Sequence, residues 1–425
     1  MKRIAALLLT LVMALSLVAC GGKDEGSVYW LNFKPEADAA LQEIAKAYTK
    51  ETGVEVKVVT AASGEYNTQL IAELDKKDAP TLFNVGNPGA VKTYGDYCYD
   101  LADSKVMGEL NQDIVLYTPE GTVASIGYCV ESFGIIVNKT LLAEAGYSIE
   151  DITDFASLKA VADDIHARAA QLGFDAFSSA GLDSSSSWRF SGHLANMPLY
   201  YEFRDDGITT QPAEIKGTYL DAYKNIWDLY INNTTMEAAS LTTATGDMST
   251  SEFKEGKAVF YQNGTWEYAG LVEAGMNPED LQMIPIYCGV EGEEDAGLAC
   301  GTENCWAINA KASEADIQAT LDFVLWVVTS DAGTQMMAEE FGPIPFKNAK
   351  ESENVFFNDA NAYMADGKYT VTWAFNHTPN VEAWRATVVT ALATYSTEQT
   401  DANWAAVEDA FVNGWALEYS IQNGG

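Results

Sequence analysis

Histidine is scarce in this chain, with 3 in 425 residues. None of His166, His193 and His377 has a metal-type neighbour at helical spacing, and no HExxH occurs. GxSxG, P-loop and GxGxxG sequences are also missing. No catalytic motif, metal or cofactor is therefore expected. A glycosidase with paired carboxylates stays open, because the separation of two acids in space is invisible in sequence. Basic residues are few as well. Lys plus Arg number 25 against 61 Asp plus Glu, a formal net charge of -36. Such a surface repels phosphate backbones and anionic lipid, so nucleic acid is excluded as a partner. Six cysteines occur, none in a paired CxxC motif. No stretch beyond the first twenty residues is long and apolar enough to cross a bilayer.

What is present begins with an address. Lys2 and Arg3 precede an apolar run from Ile4 to Val18, broken by Thr10 and Ser16. The run is short for a spanning helix and ends in small residues, which fits an export signal over 1–19. Leu17-Val18-Ala19-Cys20 resembles the bacterial lipobox. That resemblance implies cleavage before Cys20, acylation of its sulfur, and a tether over 20–27. The mature chain is then a soluble body held by lipid at the outer face of the cell membrane. The other cysteines, Cys98, Cys129, Cys288, Cys300 and Cys305, are an odd set. A Cys98–Cys129 disulfide and buried free thiols both remain open.

The body of about 400 residues favours two lobes with separate cores. Val28 to Leu31 reads as a strand, and Pro35 opens a helix with Ala37, Leu41, Ile44 and Tyr48 on one face, stopped by Gly53. Val54 to Val59, a helix from Tyr66, and Pro80 to Val85 complete a β-α-β-α-β order. That order predicts a parallel sheet covered by helices. Ligands bind such sheets outside the carboxyl ends of the strands, which selects the loops near Asn32–Glu36 and Asn84–Asn87. Strands are expected at 133–138 and 281–286, and helices dominate the last third, with Ser313 and Asp316 as a capping pair.

Four ordered segments resemble the extracellular solute-binding proteins (family 1) of carbohydrate ABC importers, the maltose-binding-protein class. They are Val28 to Phe83, Val130 to Lys139, Gly256 to Glu267, and Gly342-Pro343-Ile344-Pro345. One departure is Thr81, where many members carry an acid. The resemblance implies an α/β, two-lobed, class II periplasmic-binding-protein-like fold with three hinge crossings. We expect these near Val130, Glu291 and Gly342, giving one lobe from 28–130 and 292–341 and another from 131–291 and 342–425. It also implies a monomer that captures a sugar or oligosaccharide and hands it to the permease subunits of an importer. A non-sugar solute such as an amine or peptide is the alternative reading, ahead of a glycosidase.

A pyranose offers apolar C–H faces and a rim of hydroxyls, so its binder needs flat rings and fixed polar groups. The ring candidates beside predicted loops are Trp30, Tyr66, Trp188, Trp266, Trp373 and Trp384. Trp266 is the strongest, because it matches the Gly-x-Trp segment of the family. The polar candidates are Asn32, Glu36, Asn84, Asn87, Arg189, His193 and Glu267, with Glu131 matching a carboxylate the family places on its ligand. Lys34 reads as a solvated lysine. Trp227, Trp306, Trp326, Trp404 and Trp415 sit in periodic patterns and read as core.

Overall fold

The computed structural model describes residues 26–424, so the export signal, Cys20 and most of the tether lie outside the described residues. Its strands are β1 (Val28–Asn32), β2 (Val56–Thr60), β3 (Leu82–Asn84), β4 (Val115–Tyr117), β5 (Val123–Gly127), β6 (Glu131–Asn138), β7 (Asp175–Phe177), β8 (Ala258–Gly264), β9 (Leu281–Ile284), β10 (Ala296–Gly301), β11 (Cys305–Ile308) and β12 (Tyr369–Thr372). They form two sheets. The first runs β2-β1-β3-β11-β5-β4, and the second runs β12-β10-β6-β8-β7, with β9 also paired to β6. The expected parallel start is present, since β1 pairs in parallel with both β2 and β3.

Period-two burial shows why each sheet is covered on both faces. In β1, Val28 and Trp30 join one apolar cluster while Leu31 joins another. In β6, Phe133, Ile135 and Val137 point to the large core of the second lobe, and Ile136 points to the opposite face. The helix Asp38–Thr52 buries Leu41, Ile44, Ala45 and Tyr48, the spacing read from sequence, and Gly53 stops it at φ 82°. Helix Glu314–Thr329 begins on the Ser313 cap and lays Phe323 edge-on to Trp30, 6.0 Å away. No helix among the described residues is long and apolar enough to cross a membrane.

The chain passes from the first sheet to the second through 128–130. It returns through 302–304, later than the sequence implied. The reason is β10, whose Ala299, Cys300 and Gly301 pair with Phe133, Ser132 and Glu131 of β6, so 296–301 belongs to the second sheet. The last passage also shifts. Ile344 and Phe346 still pack in the first lobe, where Asn111 N–H donates to Pro345 O at 3.1 Å, and only the helix Val355–Ala365 rests on the second. The passage therefore lies over 347–354 rather than at Gly342. Tyr128 N–H donates to Asn304 O at 2.8 Å, so the first two connectors run side by side. Cys98, Cys129, Cys288, Cys300 and Cys305 are all free thiols, which removes the Cys98–Cys129 bridge.

Candidate functional site

A cleft of about 1160 Å³ opens between the lobes. From the first lobe it receives the loop after β1, with Phe33, Lys34 and Glu36, and the loop after β3, with Asn84 and Asn87. These are the two strand ends that the parallel order selected. Tyr66 joins them from the start of its helix. Its hydroxyl accepts from Asn84 N–H at 2.7 Å, and its ring meets Phe33 edge-on at 5.7 Å. Asn87 caps the helix Pro88–Tyr94 through Ala90 N–H and donates to Glu303 Oε1 at 3.2 Å. Thr81, the departure from the family pattern, is buried away from the cleft. Its hydroxyl oxygen accepts from Tyr29 N–H at 3.0 Å and ties Thr320 at 2.8 Å, a structural duty.

The second lobe supplies an aromatic wall. Trp188 stands at the start of a π-helical turn, Arg189–Leu194. A π turn is wider than an α turn and aligns residues five apart. Trp188 and His193 thus meet edge-on at 5.0 Å. His193 stacks on Phe133 at 4.0 Å, and Trp266 lies 6.0 Å from Trp188 and 5.4 Å from His193. The wall continues through Trp373, 5.5 Å from Phe133, to Phe375, 5.4 Å further on. Two glycines make room for it. A Cβ on Gly264 would fall 2.2 Å from the Trp266 ring, and one on Gly301 would fall 2.5 Å from the Trp373 ring.

Polar groups divide into spent and unspent. Arg189 is spent: its guanidinium donates to Ser186 Oγ at 2.7 Å and Gln262 O at 3.0 Å. Burial, then the charges of Arg385 and Arg189, push His193 well below its usual range, so the imidazole is neutral. Glu131 accepts from Lys34 Nζ at 2.9 Å and from Asn304 Nδ2 at 2.6 Å. Lys34 therefore faces the cleft, not solvent, and its charge also sits 5.4 Å over Trp266. Sequence reasoning missed Lys34, Glu303 and Arg385 as cleft residues. No His, Cys, Asp or Glu group among the described residues is arranged to hold a metal ion.

Three expected cleft residues are elsewhere. Trp30 is 2% exposed and packs edge-on to Trp306, because it shares the β1 face of Val28. Trp384 is fully buried against Phe411 at 4.9 Å, with its indole N–H donating to Phe411 O. Asn32 is buried too, but its side chain brackets Lys34, donating to the lysine's carbonyl and accepting from its N–H. It positions the loop. Glu36, Tyr66, Asn84, Asn87, Glu131, Trp188, Arg189, His193, Trp266, Glu267 and Trp373 all line the cleft.

Glu267 carries a pH signature. Burial, then the Glu36 carboxylate, push it from the usual 4.5 up to about 7. A value higher in the folded chain than in the unfolded one means the fold holds the proton more tightly. The carboxyl thus costs nothing below about pH 4.5 and destabilises the fold as pH rises through about 7. Glu267→Gln keeps an acceptor for Asn263 Nδ2. It is expected to raise the melting temperature by about 2 °C at pH 8 and to leave it unchanged at pH 4.5. Calorimetric scans at the two pH values check this; an equal shift at both would refute the assignment.

Residues 43–361 match the family described as bacterial extracellular solute-binding protein. The chain is similar to the maltooligosaccharide ABC transporter solute-binding lipoprotein of Streptococcus pneumoniae serotype 4, 24% identical over 353 residues, covering 78% of this chain and 77% of the relative. Among solved structures, RafE in complex with raffinose aligns with a TM-score of 0.72 at 18% identity, covering 92% of this chain and 99% of that one. A chitin oligosaccharide binding protein aligns at 0.73 and 13% identity, covering 95% and 100%. A sugar transporter protein of Bacillus licheniformis in complex with stachyose aligns at 0.67 and 18% identity, covering 92% and 100%. Likeness at such identities concerns the fold.

Proposed function

We propose, for a chain that belongs to the bacterial extracellular solute-binding proteins, that its cleft captures a sugar or oligosaccharide and that the loaded protein delivers it to the permease subunits of an ABC importer. The observation that carries this reading is the aromatic wall. The half-buried Trp188 and Trp266, backed by the buried Trp373 and Phe375, line a cleft whose polar groups include amides, acids and serines beside the cations Lys34, Arg189 and Arg385. Indole faces suit the C–H faces of pyranoses, and amides and carboxylates suit their hydroxyls. A volume of about 1160 Å³ exceeds an ordinary small-molecule pocket of roughly 300–1,000 Å³, which favours several rings over one. The sugars named for the similar proteins point the same way. Three connectors between the lobes act as hinges in this reading, and closure is driven by the ligand's higher affinity for the closed state. The protein works as a monomer outside the cell membrane, held through acylated Cys20.

Binding without turnover fits the carboxylates of the cleft. Both oxygens of Glu131 are engaged by Lys34 and Asn304, and Glu267 accepts from Asn263 at 2.9 Å. A melting screen tests the proposal. Maltotriose, raffinose, stachyose and chitotriose are compared with spermidine and a tripeptide. A ligand at a hundred times its dissociation constant stabilises by about 2.7 kcal/mol, a rise of several degrees. We expect at least one oligosaccharide to produce it and to be recovered intact. A rise with spermidine or the peptide alone would assign the cleft to another solute, and appearance of shorter sugars would make the protein a hydrolase.

A further inference from the structure

The cleft is polarised along its length. At the Trp188 and Trp266 end, the charged groups and the Trp188 N–H are already committed, although Gln262 Oε1 there has no partner. Trp188 Nε1 donates to Ser185 O at 2.9 Å, Arg189 is held by Ser186 and Gln262, and Lys34 by Glu131 and Glu36. At the other end they are not. Trp373 Nε1 is a buried donor with no partner, and so is Arg385 Nε, while Gln422 Oε1 is a buried acceptor with none. All three residues line the cleft. The Arg385 guanidinium lies 5.6 Å over the Phe375 ring, and its nearest carboxylate oxygen, on Glu382, is 3.9 Å away. Glu303 lines the same end and forms no ion pair within 4 Å among the described residues, its carboxylate accepting only from Asn87 Nδ2.

Unpartnered buried donors and acceptors are costly, roughly 1–3 kcal/mol each. Trp227, Trp306 and Trp404 carry such N–H groups inside the cores, so it is the place of Trp373, Arg385 and Gln422 in the cleft wall that points to a ligand. Here the two donor side chains, Trp373 and Arg385, both adjoin the Phe375 ring, and the acceptors Glu303 and Gln422 line the same cleft. This is the complement of a sugar unit whose hydroxyls accept from Arg385 and Trp373 and donate to Glu303 and Gln422, with the buried Phe375 ring backing Trp373 and Arg385. The charge at this end decides between a neutral and an acidic sugar. Among the described residues, Arg385 is the cation nearest the two carboxylates Glu303 and Glu382, so a uronic acid would add a third negative charge beside one positive charge.

The geometry points to a specificity subsite formed by Arg385, Glu303, Trp373 and Phe375 that reads the hydroxyls of one uncharged sugar unit and rejects uronic acids. It rests on the sugar-binding reading above. The Trp188 and Trp266 end supplies stacking that tolerates many sugars, and this end supplies the discrimination.

Calorimetric titration of the full chain tests the assignment, using whichever oligosaccharide of the panel raises the melting temperature most. Arg385→Ala and Glu303→Gln are each expected to weaken its affinity at least tenfold, with Arg385→Lys in between. In the double variant the losses are expected to be less than additive, because both groups hold the same sugar unit. Wild type is expected to bind a glucuronic-acid-bearing trisaccharide at least tenfold more weakly than the neutral sugar, and Glu303→Gln to narrow that gap. Melting curves without ligand separate loss of binding from loss of fold. Unchanged affinity in folded Arg385→Ala and Glu303→Gln proteins, or tighter binding of the acidic sugar by wild type, would overturn the subsite while leaving sugar binding intact. Wild type that binds no oligosaccharide of the panel would overturn the parent reading and the subsite together.

Discussion

Trp266→Ala is expected to weaken oligosaccharide binding by ten- to a hundredfold, about 1.4–2.8 kcal/mol. The indole follows β8 in a short turn, Thr265–Glu267, and lies flat on Gly264. It is half-buried and lines the cleft, so part of the ring stays open to a ligand. Truncation removes that platform and frees Lys34, whose charge sits above it. Gly264→Ala should reproduce part of the loss, since its methyl group would collide with the ring. Trp266→Phe should recover part of it, because a smaller aromatic face remains. The control is Trp326→Phe. That residue lies on the far side of the first lobe, where its N–H donates to Glu51, and its change should leave affinity untouched. Titration calorimetry with the best sugar of the screen checks the set. An unchanged dissociation constant in folded Trp266→Ala protein would remove the aromatic wall from the binding account.

The fold was legible where periodicity and capping act locally. The β-α-β-α-β start, the Gly53 stop and the Ser313 cap each depend on neighbours a few residues away. The two later passages between lobes were misplaced for the opposite reason. That β10 joins the second sheet is fixed by pairing with β6, more than 160 residues earlier, and no local pattern carries such a partner. The tryptophans divide in the same way. Trp384 could have been assigned to the core, because Trp384, Val388, Leu392 and Tyr395 share a helical stripe and are all buried. The cleft residue is its neighbour Arg385, about a hundred degrees round the helix. Trp30 shares the parity of Val28, which is also core. Lys34 left no signal at all. A single lysine in a polar loop looks solvated until the second lobe brings Glu131 to it.

That meeting has a measurable size. Lys34→Met is expected to destabilise the protein by about 3–5 kcal/mol, the usual result of stranding one partner of a buried ion pair. Lys34 Nζ lies 2.9 Å from Glu131 Oε1 and 3.0 Å from Glu36 Oε1, and the Lys34 and Glu131 side chains are 7% and 6% exposed. Burial opposes the lysine's charge, but the Glu131 and Glu36 carboxylates outweigh it and hold the ammonium above its usual range. The same acids, with burial as the leading cause, push nearby Glu340 up to about 7. Without Lys34, Glu131 keeps a single hydrogen bond, from Asn304, among carboxylates that repel it. Since Lys34 belongs to the first lobe and Glu131 opens β6 in the second, the loss should also loosen the lobes. Lys34→Met/Glu131→Gln should regain most of the stability, because no charge is then stranded. It should not regain the attraction between Lys34 and the Trp266 ring. Stability and affinity are thus expected to separate in the double variant, one restored and the other still reduced. Chemical denaturation and calorimetry on the three proteins measure both. A Lys34→Met protein as stable as wild type would mean that the pair contributes nothing to holding the lobes together.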